Sequence, residues 1–339
     1  MAYLIEPPVR PMLAKLTREV PRGPQWLYEP KWDGFRAIVF RDGDDIHVQS
    51  RDLKPLERYF PELPPLLAKF LPECCVLDGE VVVTGSKGLD FDDLQQRIHP
   101  AESRINMLAE KTPASFVAFD VLANSDGDMR STPLEERRAW LVKTLKDKGS
   151  VPKSKRQSQF SVTPQTGDPD EATDWLTTYD KLGLDGVVAK ERNSTYVENK
   201  RTMIKVKTQK TADCVVGGYR LSKTGDGIGS LLLGLYDDAG VLHFVGHTSS
   251  FKAAERRELL KRLKPMEGEE SFGHGRTPGG PSRWNSGKEL NWVSVRPELV
   301  CEVSYDRMQS NRFRHASTFI RWREDKPPKE CTMDQVALG

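Results

Sequence analysis

Apolar runs in this chain are short and charged residues stand at their ends, which confines it to small mixed sheets whose strands finish in polar ground. AIVF at 37–40 follows EPKWDGFR at 29–36, VVV at 81–83 follows LDGE at 77–80, and VVAK at 187–190 follows Asp185 and Gly186. No run approaches the ~20 apolar residues that span a bilayer. The opening MAYLIEPPVRPMLAKL lacks a basic start followed by a long apolar stretch, so it reads as no secretory signal. Five cysteines, at 74, 75, 214, 301 and 331, include no Cys-x-x-Cys spacing. That pattern points to reduced thiols in a cytoplasmic setting, and away from structural zinc or a disulfide framework. The six histidines are scattered without metal-ligand spacing.

At 339 residues the chain is long for one core and reads as two domains. Lys and Arg number 51 against 49 Asp and Glu, a net charge of +2. The total therefore announces no nucleic-acid partner, although a balanced total can hide a basic face.

FRAIVFRDGDDIHVQSRD reads as a hairpin with strands at 35–40 and 46–50 and its turn at 42–45. LPPLLAKF is a short helix, CCVLDGEVVV a strand with an acidic turn at its middle, and FDDLQQRIH an amphipathic helix. SFVAFDVLA is a buried strand, PLEERRAWLVKTLKD a helix, and GSVPKSKRQS at 149–158 a basic loop. DEATDWLTTYDKLGL is a helix feeding the strand DGVVAK, and IKVKT is a strand with Lys205 and Lys207 on one side at period 2. After Lys210 come CVVGGYRL, SLLLGLYDD, LHFVGHTS, the helix AAERRELLKRLK and the strand RPELVCEVSYDRM, with the Gly/Pro-rich loop SFGHGRTPGGPSRWNSG between the last two. Short strands with one helix predict a partly open β-barrel of OB type. The expected organisation is α+β: residues 1–208 with mixed and antiparallel sheets and helices, then an OB-fold barrel over 209–339.

Taken one at a time, these charges fit ordinary solvated side chains. Their order is what carries information. KWDG at 31–34, SRD at 50–52, LDGE at 77–80, FVAFDVL at 116–122, DGVVAK at 185–190, KVK at 205–207 and RWREDK at 321–326 follow one another along the chain. In this the chain resembles the ATP-dependent DNA ligases, within the covalent nucleotidyltransferases that also include RNA ligases and mRNA capping enzymes. It is most similar to short bacterial ligases built from a catalytic core, including the ligase modules of end-joining and repair systems. SLLLGLYDDAG, VGHTSSF and RPELVCEVSYD support that subgroup.

The resemblance implies an adenylation (nucleotidyltransferase) domain followed by the OB barrel, and sealing of nicks in three steps. Lysine takes AMP from ATP, AMP passes to a 5′-phosphate, and the 3′-hydroxyl displaces it. The first step needs a neutral amine, whereas free lysine has a pKa of ~10.4; neighbouring cations, burial or a metal favour the neutral form. Lys31, between a proline and a Trp-Asp-Gly turn, takes the position of the AMP acceptor. Glu29 matches the reader of the adenine edge, with Phe119 stacking on one face of the base and Val188 packing on the other. Glu80 and Asp185 correspond to hard oxygen ligands for Mg²⁺ or Mn²⁺; the family usually carries Glu where this chain has Asp185. Arg36 and Arg51 correspond to nucleotide and 5′-phosphate contacts, and Lys205 and Lys207 to cations that neutralise the α-phosphate. Lys190 and Arg201 join that phosphate cluster, with Met203 standing where the family often has Trp. Arg321, Arg323, Asp325 and Lys326 form the last motif, which in the family orients pyrophosphate when the barrel closes over the nucleotide.

The implied partner is nicked double-stranded DNA held through its phosphates, with Arg220, Lys223, Arg312, Arg314 and the 153–158 loop as candidate contacts. No helical DNA-binding domain precedes the core in this sequence, so the expectation is weaker encirclement of DNA or reliance on DNA-end-binding and other repair proteins. A monomer at the bacterial nucleoid is expected. Two alternatives stand beside this reading: an RNA ligase or capping-type enzyme using the same lysine chemistry, and a non-catalytic OB-fold nucleic-acid binder.

Overall fold

The computed structural model describes residues 3–147, 149, 151, 159–208, 210–268, 271–273, 278, 291–309 and 311–337. The chain divides into two compact units, Met1–Thr208 and Gln209–Gly339.

The first unit runs β1 (Leu13–Thr17), β2 (Trp26–Pro30), β3 (Phe35–Asp42), β4 (Asp45–Ser50), α1 (Leu63–Phe70), β5 (Cys74–Val83), α2 (Phe91–Gln96) and α3 (Glu102–Lys111). It continues with β6 (Ala114–Asn124), β7 (Gly127–Asp128), α4 (Leu134–Leu145), β8 (Phe160–Val162), α5 (Pro169–Thr178), β9 (Val187–Glu191) and β10 (Arg201–Val206). Two sheets result. One has the order β1-β10-β9-β2; the other is β4-β3-β5-β6-β7, with β8 paired to β6.

Period-2 alternation assigns the faces. In β3, Ala37 and Val39 join Leu63, Leu67 and Leu141 in a core under α1 and α4. Ile38 and Phe40 turn the other way, into a core that includes Met203 of the facing sheet. In that sheet Trp26, Tyr28, Val187 and Ala189 pack with Ala172 and Trp175 of α5. The residues between them, Leu27, Glu29, Val188 and Lys190, therefore turn inward.

Several elements differ from the sequence expectation. β5 is one continuous strand with no turn at LDGE. Gly79 lies there because a Cβ would come within 2.3 Å of the Phe116 ring and 2.5 Å of the Val117 carbonyl. α2 stops at Gln96. Arg97 then turns inward, pairs with Glu62 at 2.6 and 2.9 Å and donates to the Thr112 and Tyr59 carbonyls. α3 was not expected, because it buries only Ile105 and Leu108 and Ala101 offers no capping side chain. β1, a half-exposed edge strand parallel to β10, was likewise not expected.

The second unit comprises β11 (Lys210–Leu221), β12 (Ile228–Tyr236), β13 (Leu242–Thr248), α6 (Ala253–Leu263), β14 (Val293–Ser294), β15 (Val300–Tyr305), β16 (Met308–Gln309), β17 (Arg312–Phe313), β18 (Thr318–Trp322) and α7 (Asp334–Ala337). Its sheet follows β13-β12-β11-β15-β18, with β14 on β11. The two ends meet at a Thr248–Ser317 bridge, where the Ser317 N–H donates to the His247 carbonyl at 3.0 Å. The curled sheet encloses Val215, Leu231, Leu233, Val245 and Val303. This is the OB barrel, so the α+β class with a terminal OB fold is borne out. The expected strand CVVGGYRL is part of a longer one, since β11 continues through both of its glycines. The 153–158 loop and most of the Gly/Pro-rich stretch fall outside the described residues. Among the described residues no helix is long and apolar enough to cross a membrane.

One buried ion pair fixes α4 to the second sheet. Arg137 donates to both oxygens of Asp120 at 2.7 and 3.0 Å, and both side chains are essentially inaccessible. Asp120→Ala should strand the guanidinium and destabilise the first unit by about 3–5 kcal/mol. Chemical denaturation followed by tryptophan fluorescence measures this; an unchanged midpoint would contradict it.

Candidate active site

The inward faces of the two sheets border a cavity of about 390 Å³. Register decides who meets there. Glu29 of β2 is opposite Val188 of β9, which is opposite Lys205 of β10, and Leu16 of β1 completes the row. On the facing sheet Arg36 of β3 is opposite Glu80 of β5. The pairing of β6 with β5 slips between Ala118 and Asp120, so Phe119 has no partner in the ladder and lines the cavity. A bulge beside a site re-aims a side chain in this way.

Lys31 stands where the chain leaves β2 for β3. Its N–H donates to the Gly186 carbonyl and its own carbonyl accepts from the Asp185 N–H, both at 2.8 Å. Gly186 is required here: its φ is +133° and a Cβ would lie 2.0 Å from the Val206 carbonyl oxygen. Lys31 Nζ donates to Asp185 Oδ2 at 2.6 Å, and Lys207 Nζ reaches the same oxygen at 3.0 Å. Burial pushes the Asp185 carboxyl up, but the Lys31 and Lys207 ammoniums overcome this and hold it below its ordinary value. Lys205 is lowered, first by burial and then by Lys31, Lys207 and Arg51.

Glu29 is buried with both oxygens engaged, one by Lys190 Nζ at 2.7 Å and the other by Gln165 Nε2 at 2.8 Å. Arg36 grips Asp78 through Nε and Nη2, each at 2.5 Å. Tyr196 donates to the same carboxylate at 2.6 Å and accepts the Met12 N–H at 3.0 Å. The Arg36 guanidinium carbon lies 4.4 Å and Lys190 Nζ 4.9 Å from the centre of the Phe119 ring, within cation–π range. Glu80 accepts the Gly34 N–H at 3.2 Å, and burial pushes its carboxyl up to about 7 against the pull of Arg36 and Lys31.

Ten of the residues singled out in the sequence line this cavity: Glu29, Lys31, Arg36, Arg51, Glu80, Phe119, Val188, Lys190, Arg201 and Lys205. Asp185 joins it through Lys31, and Lys207 through Asp185. Arg321, Arg323, Asp325 and Lys326 belong to the second unit, where Arg323 and Lys326 both hold Asp213. Of the candidate DNA contacts, Arg220 is half-buried with no hydrogen-bond partner for Nε, Lys223 is exposed, and Arg312 stacks on Phe244 at 4.7 Å. Arg314 lies beside Arg307, its N–H donating to that carbonyl at 2.9 Å. Sequence reasoning missed Asp78, Gln165, Tyr196 and Asp213. Asp78 could have been found inside LDGE; the other three carry no local signal.

Residues 11–207 match the family model described as an ATP dependent DNA ligase domain, and residues 224–326 the one described as the ATP dependent DNA ligase C terminal region. The chain belongs to the ATP-dependent DNA ligases. Its ligase relatives include DNA ligase C1 of Mycolicibacterium smegmatis, 50% identical over 98% of this chain and 94% of that protein. DNA ligase C of Mycobacterium tuberculosis is 49% identical over 99% of this chain and 96% of that one. The crystal structure of the ligase domain from M. tuberculosis LigD aligns with a TM-score of 0.51 at 29% identity, covering 96% of this chain and 98% of that chain.

The raised carboxyl of Glu80 makes this ligase fold's stability depend on pH. Below its ordinary value of 4.5 the group is protonated folded or unfolded; between there and about 7 the unfolded chain ionises first, so the native state loses stability as pH rises. Glu80→Gln should therefore gain on wild type as pH climbs through that window and hold a constant advantage above it. Melting temperatures of both proteins across the range test this; a difference independent of pH would contradict it.

Proposed function

We propose that this protein seals 5′-phosphate/3′-hydroxyl nicks in double-stranded DNA, using ATP, through a Lys31–AMP intermediate. The observation that supports it best is the gathering of Lys31, the Glu29–Val188–Lys205 row, Phe119 and a set of basic side chains around one cavity.

Adenine enters between Phe119 and Val188, with its amino edge at Glu29. Lys190 and Gln165 fix that carboxylate but leave each oxygen a second lone pair to accept from the base. Arg36, locked by Asp78, and Arg51 lie towards the sugar and phosphates. Lys31 Nζ, aimed by Asp185, gives up a proton to solvent and attacks the α-phosphorus as the neutral amine; the P–N bond forms as the bond to the β-phosphate oxygen breaks and pyrophosphate leaves, the second amine proton following to solvent. Lys205 and Lys207 offset the charge gathering on the α-phosphate oxygens. The 5′-phosphate oxygen of the nick then attacks the same phosphorus, freeing Lys31, and the 3′-hydroxyl finally displaces AMP.

Among the described residues no group of three or more His, Cys, Asp or Glu forms a preformed cage. Mg²⁺ is commonly bound by one or two carboxylates together with substrate phosphates. Glu80 and Asp185 would supply the hard oxygen donors. The cation would add charge neutralisation at the phosphates.

In the second unit, Arg321, Arg323, Asp325 and Lys326 orient the polyphosphate of ATP. Arg220, Lys223, Arg312 and Arg314 hold DNA phosphates without reading sequence. The setting is bacterial DNA repair in the cytoplasm, as a monomer at the nucleoid, alongside DNA-end-binding proteins.

The test is incubation with a divalent cation and α-labelled ATP or GTP, for wild type and Lys31→Ala, followed by addition of nicked DNA. Label from ATP alone should survive denaturation on wild type, disappear in Lys31→Ala, and be chased by the nick as sealed product forms. Label from GTP would shift the reading to a capping-type enzyme. Absence of label after pyrophosphate has stripped any bound AMP would favour a binding module.

A further inference from the structure

Arg323 follows β18 with its N–H still donating to the Val300 carbonyl at 2.9 Å, and residues 324–326 then turn away from the sheet. Arg323 and Lys326 nevertheless converge on one carboxylate. Arg323 Nη1 donates to both oxygens of Asp213 at 2.8 Å, and Lys326 Nζ reaches Oδ2 at 3.0 Å. The remaining edge of Arg323 holds Asp325 through two bonds of 2.9 Å. Arg323 and Lys326 also border a cleft of about 280 Å³ with Arg262 and Trp322.

Asp213 is itself held firmly. Gln335 of α7 accepts its N–H at 3.0 Å and donates to its carbonyl at 3.2 Å. It sits on β11 directly opposite Glu302 of β15, which pairs in turn with Arg321 of β18 at 2.7 Å. Like charges facing each other across antiparallel strands destabilise a sheet. The arrangement makes physical sense if the two carboxylates are there for Arg321, Arg323 and Lys326.

We propose that Asp213 is a positioning residue that presents Arg323 and Lys326 to the polyphosphate of ATP during adenylylation of Lys31. This rests on the function proposed above and deepens it. Asp213 touches neither nucleotide nor DNA; it fixes the spacing and direction of two long cationic side chains relative to each other. Its influence is accordingly confined to the step in which pyrophosphate is still attached, and sealing of a nick that already carries 5′-AMP does not use it.

Asp213→Asn keeps the size and removes the charge. Single-turnover adenylylation against ATP concentration, sealing of a pre-adenylated nick and thermal melting are measured for this variant and for Arg323→Ala. Asp213→Asn should slow adenylylation about 10- to 100-fold, the scale of misplacing a binding group, while pre-adenylated nicks are sealed at the wild-type rate and melting is retained. Normal adenylylation by Asp213→Asn beside a failing Arg323→Ala would overturn the role of Asp213 and leave the terminal motif's role standing. Normal adenylylation by both would overturn the reading of that motif and the proposal with it. Parallel loss of adenylylation, sealing and melting temperature would show a structural role only and overturn the proposal.

Discussion

The site depends on one crossing, where the chain passes from the β1-β10-β9-β2 sheet to the facing sheet over residues 31–34. Reciprocal main-chain bonds between Lys31 and the Asp185–Gly186 segment pin that crossing to the start of β9. They fix the side-chain donor and its acceptor together, because the segment that holds the Lys31 backbone also carries the carboxylate that holds Nζ. The same pinning sets the register of β2 on β9. A slip of β2 by one residue would turn Glu29 towards α5 and bring Tyr28 into the cavity, while Val188 stays in register with Lys205 of β10.

Electrostatics then determine what this cavity can accept. Seven basic side chains line it (Lys15, Lys31, Arg36, Arg51, Lys190, Arg201 and Lys205) against two carboxylates, Glu29 and Glu80. The chain as a whole carries only +2. Folding has concentrated the positive charge, which is why composition said nothing and the cavity says a great deal. The carboxylates that are present have assigned partners. Glu29 is held by Lys190, and Asp78, at the floor beneath Arg36, is held by Arg36 and Tyr196. The excess that remains suits a polyphosphate ligand.

The parts legible in the sequence were those where chemistry and period coincide. KWDG, LDGE, FVAFDVL and DGVVAK each end or interrupt an apolar strand; the resemblance carried by their order singled out Glu29, Val188 and Lys205, and the strand pairing puts these three in one row. What stayed hidden depends on distant contacts. Tyr196 and Gln165 lie in segments without periodicity and matter only because folding brings them to Asp78 and Glu29. LDGE looked like a turn because Asp-Gly normally is one. Here the glycine serves close packing against β6, an inter-strand fact that no local window contains. α3 escaped for the opposite reason, since its two buried residues make too narrow a stripe to register as helical.

The two units use the same device. In the first, Asp185 stands between Lys31 and Lys207; in the second, Asp213 stands between Arg323 and Lys326. Both carboxylates are mostly shielded, with side chains 13% and 11% exposed. Two cations converging on one point repel each other, and long side chains without a partner would swing into solvent, gaining entropy as well as distance. A fixed carboxylate offsets that repulsion and holds the donors convergent. In the reading proposed here it gathers the donors as phosphate oxygens would. The donors are then already gathered when ATP arrives, and only their acceptor changes.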